Sequence, residues 1–467
     1  MNLPTKQASK YVPMASREFT LVDCYINCNS ELLARQGRMK QEKSITFYKL
    51  SVAGINLSSE DLGDVINSLV SSDPQLSVYK DQKNQEVKDW IPTCIPMVDA
   101  ALEGGIPASG SVSEVFGVPG AGKSTFYLLV LRNFQKLGGL GYLFDIEETT
   151  PPSRAAQLGV DPSKMISVRA KRDSKGTVHP ITVEQIGEKI IRDLAAISDA
   201  RPGQQVLFIW DSVAFTLSNM EESSDLDSST VAGAARAINT VMRKVQPNLK
   251  ENGGTLLAVN QARDDLNAAN PRYKQVKTSG GKGWEHVLSD RIQINKGKKF
   301  GKNASDKAEI GRISTLVVRK TKVGDSDSLP FEGVITNQSG FDLGYNLYQC
   351  AFSLGLITGS NPKKYITDDG EIFSKTMHDF RDYLSQNQDS EIFKELWQKC
   401  VKAYCPKCYP PLFNENLEMT VEEFPFIEGL REYYTDIQEK LPVEQQNFNY
   451  RNYMETHSTP KKKGAKK

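Results

Sequence analysis

The sequence lacks any continuous apolar stretch of the roughly 18 to 20 residues that a membrane-spanning helix needs. It also lacks the charged and then apolar N-terminal leader that is typical of exported proteins. Cysteine is scarce, with 7 in 467 residues, and an odd count in a long chain favours reduced thiols over a disulfide framework. These absences predict a cytoplasmic protein with no membrane partner.

A charge excess of one sign is absent as well, since the formal net charge is +1. Charged residues make up 25% and hydrophobic residues 39% of the chain, which is ordinary for a globular protein and excludes the disordered class. The length predicts two or three domains. Basic residues cluster in 263–322 and in the tail 458–467, and this low-complexity tail is predicted to be disordered.

Hydropathy along the chain predicts an α/β core. Apolar, strand-like runs alternate with helical periodicity, and such runs are typical of a mostly parallel, twisted sheet that is buried on both faces. The predicted strands are 112–116, 141–145, 206–211, 255–260, 291–295 and 314–319. The predicted divisions are an N-terminal accessory or polymerisation region at 1–88 with a helix around 59–69, the core at 89–345, a mainly helical C-terminal lobe at 346–457, and the basic tail at 458–467.

A phosphate-binding loop is the most specific motif. Residues Gly117–Ser124 fit the pattern G-x-x-x-x-G-K-[ST], in which backbone N–H groups surround phosphates, the lysine reaches the outer phosphates and the hydroxyl binds Mg²⁺. A predicted strand precedes the loop, and a helix predicted over 125–136 follows it with its positive dipole end towards the phosphates. The residues predicted to hold a nucleoside triphosphate are Gly117, Gly120, Gly122, Lys123, Ser124 and Thr125.

Carboxylates follow two of the predicted strands. Asp211 ends the run 206–211 and is predicted to bind Mg²⁺ together with Ser124, although a buried strand often ends in an aspartate without any metal. Glu147 lies at the carboxyl end of the strand after the loop helix, where it would align the attacking water. Glu148 is the less favoured substitute, and capping of the next helix by this acidic pair is the structural alternative.

The motifs occur together in the order and spacing of one family. They comprise 93–107, Gly117–Ser124, Asp145–Glu147 with 158–161, Asp211–Ser212, 260–263 and 278–281. In this arrangement the chain resembles the RecA/UvsX-type recombinases, and the phage members of that family most. The resemblance extends over about residues 90–400 and leaves residues 1–85 and the segment beyond about 410 uncovered.

The resemblance implies a RecA-type P-loop ATPase core that uses ATP and Mg²⁺. It implies that Glu147 activates water, that Gln261 senses the γ-phosphate, and that Lys320 and Lys322 reach the ATP of a neighbouring subunit. From the residues alone, Gln261 could equally cap a strand and the two lysines could be a solvated strand end. At the adenine pocket the family commonly has Asp and Tyr where this chain has Pro151 and Arg154; an Arg plane can stack on a base.

The resemblance also implies two segments that face single-stranded DNA. The first is 218–230 with the amphipathic helix after it, which would leave Arg236 and Arg243 on its open face; an ordinary surface helix is the alternative. The second is 263–282. The residues predicted to contact DNA are Val231, Arg236, Arg243, Arg263, Leu266, Gly280, Gly281 and Lys282. The basic run 296–302 is predicted to be a loop that could receive the incoming duplex, and a surface-exposed charge run is the favoured alternative. The following strand has Thr315 and Val317 where the family has basic residues, which leaves the duplex site in doubt.

The predicted function is a DNA-dependent ATPase that forms helical filaments on single-stranded DNA and exchanges strands with a homologous duplex. Loader and single-strand-binding proteins are further candidate partners, and the location would be the bacterial or phage-infected cytoplasm. A mediator without strand exchange, a hexameric helicase and a small-molecule kinase are the alternatives. Cys400, Cys405 and Cys408 resemble part of a zinc site, but free thiols are favoured because a closed site needs a fourth ligand.

Overall fold

A computed structural model describes residues 59–73, 76–78, 89–108, 110–224, 233–264, 276–301, 309–322 and 330–404. The chain divides into two units, Met1–Lys83 and Asn84–Lys467. In the first unit the helix Ser59–Ser72 confirms the helix predicted around 59–69. Among the described helices, none combines the length and the apolar character that crossing a bilayer requires.

The described elements are numbered in chain order. The strands are β1 Trp90–Ile91, β2 Ile106–Pro107, β3 Val112–Gly117, β4 Leu140–Asp145, β5 Met165–Val168, β6 Lys171–Arg172, β7 Val178–His179, β8 Val206–Asp211, β9 Gly254–Gln261, β10 Arg263–Asp264, β11 Val276–Lys277, β12 Asp290–Gly301, β13 Glu309–Lys320, β14 Phe331–Thr336, β15 Gly340–Phe341, β16 Lys363–Ile366 and β17 Ile372–Lys375. The helices are α1 Ser59–Ser72, α2 Pro96–Ala101, α3 Lys123–Lys136, α4 Pro152–Gln157, α5 Val183–Ala200, α6 Asn219–Glu222, α7 Gly233–Glu251, α8 Gly281–Val287, α9 Leu343–Ser353, α10 Met377–Gln386 and α11 Glu391–Tyr404.

One large sheet organises the second unit. Its nine strands run in the order β15-β14-β13-β12-β3-β9-β8-β4-β5. The strands from β12 to β5 pair in parallel, whereas β13, β14 and β15 extend the sheet in antiparallel fashion. The mostly parallel α/β sheet predicted from the sequence is therefore confirmed.

Helices cover both faces of this sheet because its central strands carry apolar residues on both sides. In β8, Leu207 and Ile209 join the core that includes α3, while Phe208 and Trp210 join the opposite core with α5 and α7. All four side chains are buried, as expected for alternating residues of a central strand. Because β3, β9, β8 and β4 pair in parallel, their carboxyl ends lie at one edge of the sheet.

The last described segment is mainly helical, as predicted. Asp342 caps the N-terminus of helix α9, because its carboxylate accepts a hydrogen bond from the Tyr345 backbone N–H at 3.0 Å. Helices α10 and α11 pack against α9. The hairpin of β16 and β17 was not predicted, since each strand has only 4 residues.

The lysines in the described part of the basic run 296–302 are exposed, as the favoured interpretation predicted, but this part is a strand and the predicted loop is wrong. Residues 296–301 belong to β12, where Lys296 pairs with Ser314 and Lys299 with Arg312 of β13. The strand continues because backbone hydrogen bonding to β13 does not depend on apolar side chains, and its lysines point to solvent. Lys302 lies outside the described residues.

Candidate active site

The phosphate-binding loop joins β3 to α3, as predicted. Gly120 and Gly122 adopt φ values of +71° and +107°, a left-handed backbone that favours glycine. A Cβ at Gly122 would also lie 2.3 Å from Cδ1 of Ile335. The glycines of the motif are therefore required by the shape of the loop, and α3 begins with its free N–H groups at the end of that loop.

Lys123 lies over this loop. Its Nζ donates hydrogen bonds to the carbonyl oxygens of Gly117 at 3.0 Å and Val118 at 3.1 Å. Burial lowers the pKa of Lys123, while the nearby carboxylates of Asp211 and Glu147 oppose that shift. The cation is thus held between the loop and two acidic side chains.

Asp211 ends β8 beside the loop, next to Ser124. Its Oδ2 accepts a hydrogen bond from Ser124 Oγ at 3.2 Å. Burial raises the pKa of Asp211 to about 6, and the negative charges of Glu147 and Asp145 add to the shift. The described residues contain no group of three or more His, Cys, Asp or Glu side chains that would hold a metal alone. One carboxylate and one hydroxyl instead suit Mg²⁺, which keeps several waters and takes phosphate oxygens as ligands.

Glu147 points towards Ser212, whose Oγ donates to Glu147 Oε1 at 2.5 Å. Asp145 is occupied otherwise, because its two oxygens accept the backbone N–H groups of Thr149 and Thr150, each at 3.1 Å. Within the described residues no side chain caps α4, so the capping alternative for the acidic pair is wrong. Ser212 thus contacts only Oε1 of Glu147, the carboxylate that the sequence assigns to the attacking water.

Two side chains at this site were not assigned roles from the sequence. Ser212 orients Glu147, and its place directly after Asp211 is the signal that could have found it. Tyr127 lies in α3 with its hydroxyl 2.6 Å from Thr150 Oγ1. Burial raises the pKa of Tyr127, and the charge of Asp211 adds to this shift. An aromatic residue in an apolar helix gave no sign of this contact.

Gln261 is the last residue of β9 and pairs with Gly117, the first residue of the loop. Its backbone N–H donates to Oδ1 of Asn260 at 2.9 Å, and the Asn260 side chain is buried. The sheet therefore brings Gln261 beside the phosphate-binding loop. Its role as a sensor stays a prediction.

Lys320 and Lys322 lie elsewhere. Lys320 Nζ donates to the Glu285 carbonyl at 2.5 Å, and Lys322 Nζ donates to the Val287 carbonyl at 3.1 Å, both near the end of α8. Burial lowers the pKa of both lysines. Within one chain, both lysines therefore lie at the C-terminus of α8 and away from Lys123.

Arg154 of α4 is half-buried and held in place by two hydrogen bonds. Its Nη1 donates to Gln157 Oε1 and to the Asn337 carbonyl, each at 2.8 Å. Pro151 precedes the helix with an extended backbone. Both side chains stay candidates for the adenine pocket.

The predicted DNA residues are only partly described. On α7, Arg236 and Arg243 are exposed while Ile238, Met242 and Val245 are buried, which confirms the amphipathic pattern. Gly280 and Gly281 have φ values of +110° and +72° at the start of α8, and Lys282 is exposed. Arg263 pairs through its backbone with Lys277, and its side chain is not described. Val231 and Leu266 lie outside the described residues.

The described cysteines are buried thiols. Cys94, Cys350 and Cys400 are buried without a disulfide, as predicted for reduced thiols. Burial raises the pKa of Cys350 to about 12 and also raises that of Cys400. Cys405 and Cys408 lie outside the described residues.

Fold and site together define a P-loop ATPase whose parallel sheet carries an antiparallel extension beyond β12. Residues 72–336 match the RecA N-terminal domain family. Protein RecA of Mycolicibacterium gilvum is 29% identical over 322 residues, which cover 66% of this chain and 82% of that protein. Protein RecA of Mycobacteroides abscessus is 29% identical over 322 residues, with 66% and 83% covered, and that of Lactococcus lactis subsp. cremoris is 25% identical over 310 residues, with 66% and 74% covered.

The chain therefore belongs to the RecA family. It is a DNA-dependent ATPase of homologous recombination and repair, as the sequence predicted. The greater likeness to phage members stays a prediction, as do the individual roles of the site residues.

Proposed function

We propose that this protein polymerises as a helical filament on single-stranded DNA, with ATP and Mg²⁺ between adjacent protomers, and that the filament pairs its strand with a homologous duplex. The observation that carries this proposal is the separation of two parts of one catalytic site. The phosphate-binding loop and its carboxylates lie at one edge of the sheet, while Lys320 and Lys322 lie towards the other.

The separation follows from strand register. Lys320 pairs with Arg291, which pairs with Glu114, and Glu114 lies three residues before Gly117. At about 3.3 Å per residue and about 4.8 Å per strand, the Cα atoms of Lys320 and Gly117 are roughly 14 Å apart. Both lysine side chains also extend towards α8. This supports contact with the ATP of a neighbouring protomer, where added cations stabilise the transferring phosphoryl group.

Within one protomer, separate residues would bind the phosphates, bind Mg²⁺ and activate the attacking water. Lys123 would hold the outer phosphates, and the N–H groups at the start of α3 would bind the others. Ser124 and Asp211 would hold Mg²⁺, which supplies positive charge to the phosphate oxygens when bound. Glu147 would take a proton from the attacking water, with Ser212 fixing its orientation.

DNA would be held mainly by its phosphates. Arg236 and Arg243 project from α7, and Lys282 with the N–H groups of Gly280 and Gly281 begins α8. Cations and backbone N–H groups contact phosphates without reading sequence. Sequence specificity would then come from base pairing, as strand exchange requires. Loader and single-strand-binding proteins are proposed as further partners.

One observation favours a second candidate. Val317 is buried and Thr315 half-buried on β13, where the family carries basic residues, so the site for duplex DNA would be weaker. A protein with such a surface would act as an ATP-switched filament or mediator that binds single strands without exchanging them.

A strand-exchange assay distinguishes the candidates. Circular single-stranded DNA, a homologous linear duplex and ATP are incubated with the wild type, Glu147→Gln, Lys322→Ala and the control Glu148→Gln. We expect exchange by the wild type and the control, joint molecules without turnover for Glu147→Gln, and loss of both for Lys322→Ala. DNA-stimulated hydrolysis without pairing would favour the mediator, and hydrolysis indifferent to DNA would refute both candidates.

A further inference from the structure

A buried carboxylate in the middle of β3 connects elements that the proposed function assigns to different ligands. Glu114 is fully buried and accepts three hydrogen bonds of 2.8 Å, from Asn260 Nδ2, Trp284 Nε1 and Arg291 Nε. These four residues come from β3, β9, α8 and β12. We call them the Glu114 junction.

On one side the junction contacts the nucleotide site. Asn260 directly precedes Gln261, and its Oδ1 accepts the Gln261 backbone N–H at 2.9 Å. Gln261 in turn pairs with Gly117 of the phosphate-binding loop. Any displacement of Gln261 towards a γ-phosphate therefore acts directly on the side chain of Asn260.

On the other side the junction holds the start of the segment proposed to bind DNA. Asn260 Nδ2 donates a second hydrogen bond to the Ser279 carbonyl at 2.9 Å. Arg291 Nη2 donates to Thr278 Oγ1 at 3.0 Å. Thr278 and Ser279 immediately precede Gly280–Lys282. The junction thus fixes the backbone that presents those residues.

The same junction reaches the proposed trans cation. Arg291 Nη1 lies 3.4 Å from Glu285 Oε1. The Glu285 carbonyl accepts the hydrogen bond of Lys320. Helix α8 therefore carries both the Trp284 donor to Glu114 and the acceptor that positions Lys320.

A network of this kind moves as a unit. Glu114 is fully buried and Arg291 nearly so, with 0% and 12% of their side-chain surfaces exposed. Leaving a buried donor or a buried charge without its partner is costly, so one bond of the junction does not shift while the others stay. A hydrogen-bond network whose donors and acceptors are all paired in only a few geometries can transmit coupling between two sites.

We propose that Glu114 is a positioning residue that couples occupation of the γ-phosphate site to the conformation of the DNA-binding segment, through Asn260 on one side and Arg291 with Thr278 on the other. The inference rests on the proposed function. It assigns to the buried junction the link by which ATP raises the affinity for single-stranded DNA.

The coupling is measured as a ratio. The Kd of a fluorescent single-stranded oligonucleotide is determined by anisotropy at one salt concentration, once without nucleotide and once with a non-hydrolysable ATP analogue and Mg²⁺. The ratio is the Kd without nucleotide divided by the Kd with the analogue. Glu114→Gln retains the size of the side chain but turns an amide N–H₂ towards a set of donors. We expect the ratio to fall at least about 10-fold, with analogue affinity in the absence of DNA within about 2-fold of the wild type.

A milder pair covers the case in which Glu114→Gln does not fold. Thr278→Val removes the hydroxyl that accepts from Arg291, and Thr278→Ser keeps it. We expect the ratio to fall in the valine variant and to be retained in the serine variant. Ratios within about 2-fold of the wild type in every folded variant of Glu114 and Thr278 would overturn the inference. A wild-type ratio near one would instead refute the proposed function itself.

Discussion

Replacing Asp211 with Asn should stabilise the nucleotide-free protein at neutral pH while removing its ability to bind Mg²⁺. Asp211 is 4% exposed. Burial and the charges of Glu147 and Asp145 raise its pKa from 3.8 to about 6. The ionised form is therefore disfavoured in the folded state, a cost that an amide of the same shape avoids.

The pH dependence has a definite sign. Below about pH 4 Asp211 is protonated in both the folded and unfolded states, so its ionisation costs nothing. Between about pH 4 and about pH 6 the unfolded chain releases this proton while the folded protein retains it, so the folded state progressively loses stability. A shift of about 2 pKa units corresponds to about 3 kcal/mol in the free energy of unfolding, reached above pH 6.

Thermal unfolding in EDTA without nucleotide measures this effect. At about 2 °C per kcal/mol for a domain of this size, Asp211→Asn should raise the Tm by about 6 °C at pH 8 and hardly at all near pH 4. The exposed control Glu148→Gln should change the Tm by no more than about 1 °C. A difference between Asp211→Asn and the wild type that is the same at both pH values, or a variant less stable at pH 8, would refute the reasoning.

Two further predictions concern catalysis and DNA binding. Glu147→Gln should lower kcat for ATP about 10²-fold or more while ATP affinity stays within a few-fold, because the change removes only the proton acceptor; phosphate-release kinetics would contradict this if turnover were retained. Arg243→Ala should reduce the slope of log K against log salt for single-stranded DNA by about 0.7, since one phosphate contact is lost. The neighbouring exposed Lys244→Ala is its control, and equal slopes for the wild type and Arg243→Ala would count against the proposed contact.

The central fold was predictable because burial on both faces leaves an unbroken apolar run. The strand predicted at 206–211 has the same bounds in the structure. Strands β3, β4 and β9 differ from their predicted bounds by one residue at one or both ends. The strand bounds at β12 could not be predicted from hydropathy, because its outer half faces solvent. There the backbone partner decides the conformation and the side chains carry no signal.

The candidate site was predictable where chemistry lies in a short contiguous motif, as in Gly117–Ser124. The Glu114 junction was not. Its partners Asn260 and Arg291 are 146 and 177 residues away in the chain. A single glutamate within an apolar strand does not indicate which distant donors satisfy it. Such long-range pairings emerge only when the strand order of the sheet is known.

The most direct test of the account is the ATPase activity of a mixture of two inactive chains. One carries Lys123→Ala and the other carries Lys320→Ala with Lys322→Ala, and each is assayed alone and mixed at equal amounts with single-stranded DNA. If ATP lies between protomers, an active interface needs the intact loop of one chain and the intact lysines of the other, which is about a quarter of the interfaces in a random filament. The mixture should therefore recover up to about a quarter of the wild-type activity. A mixture as inactive as its two components at every ratio would contradict the account.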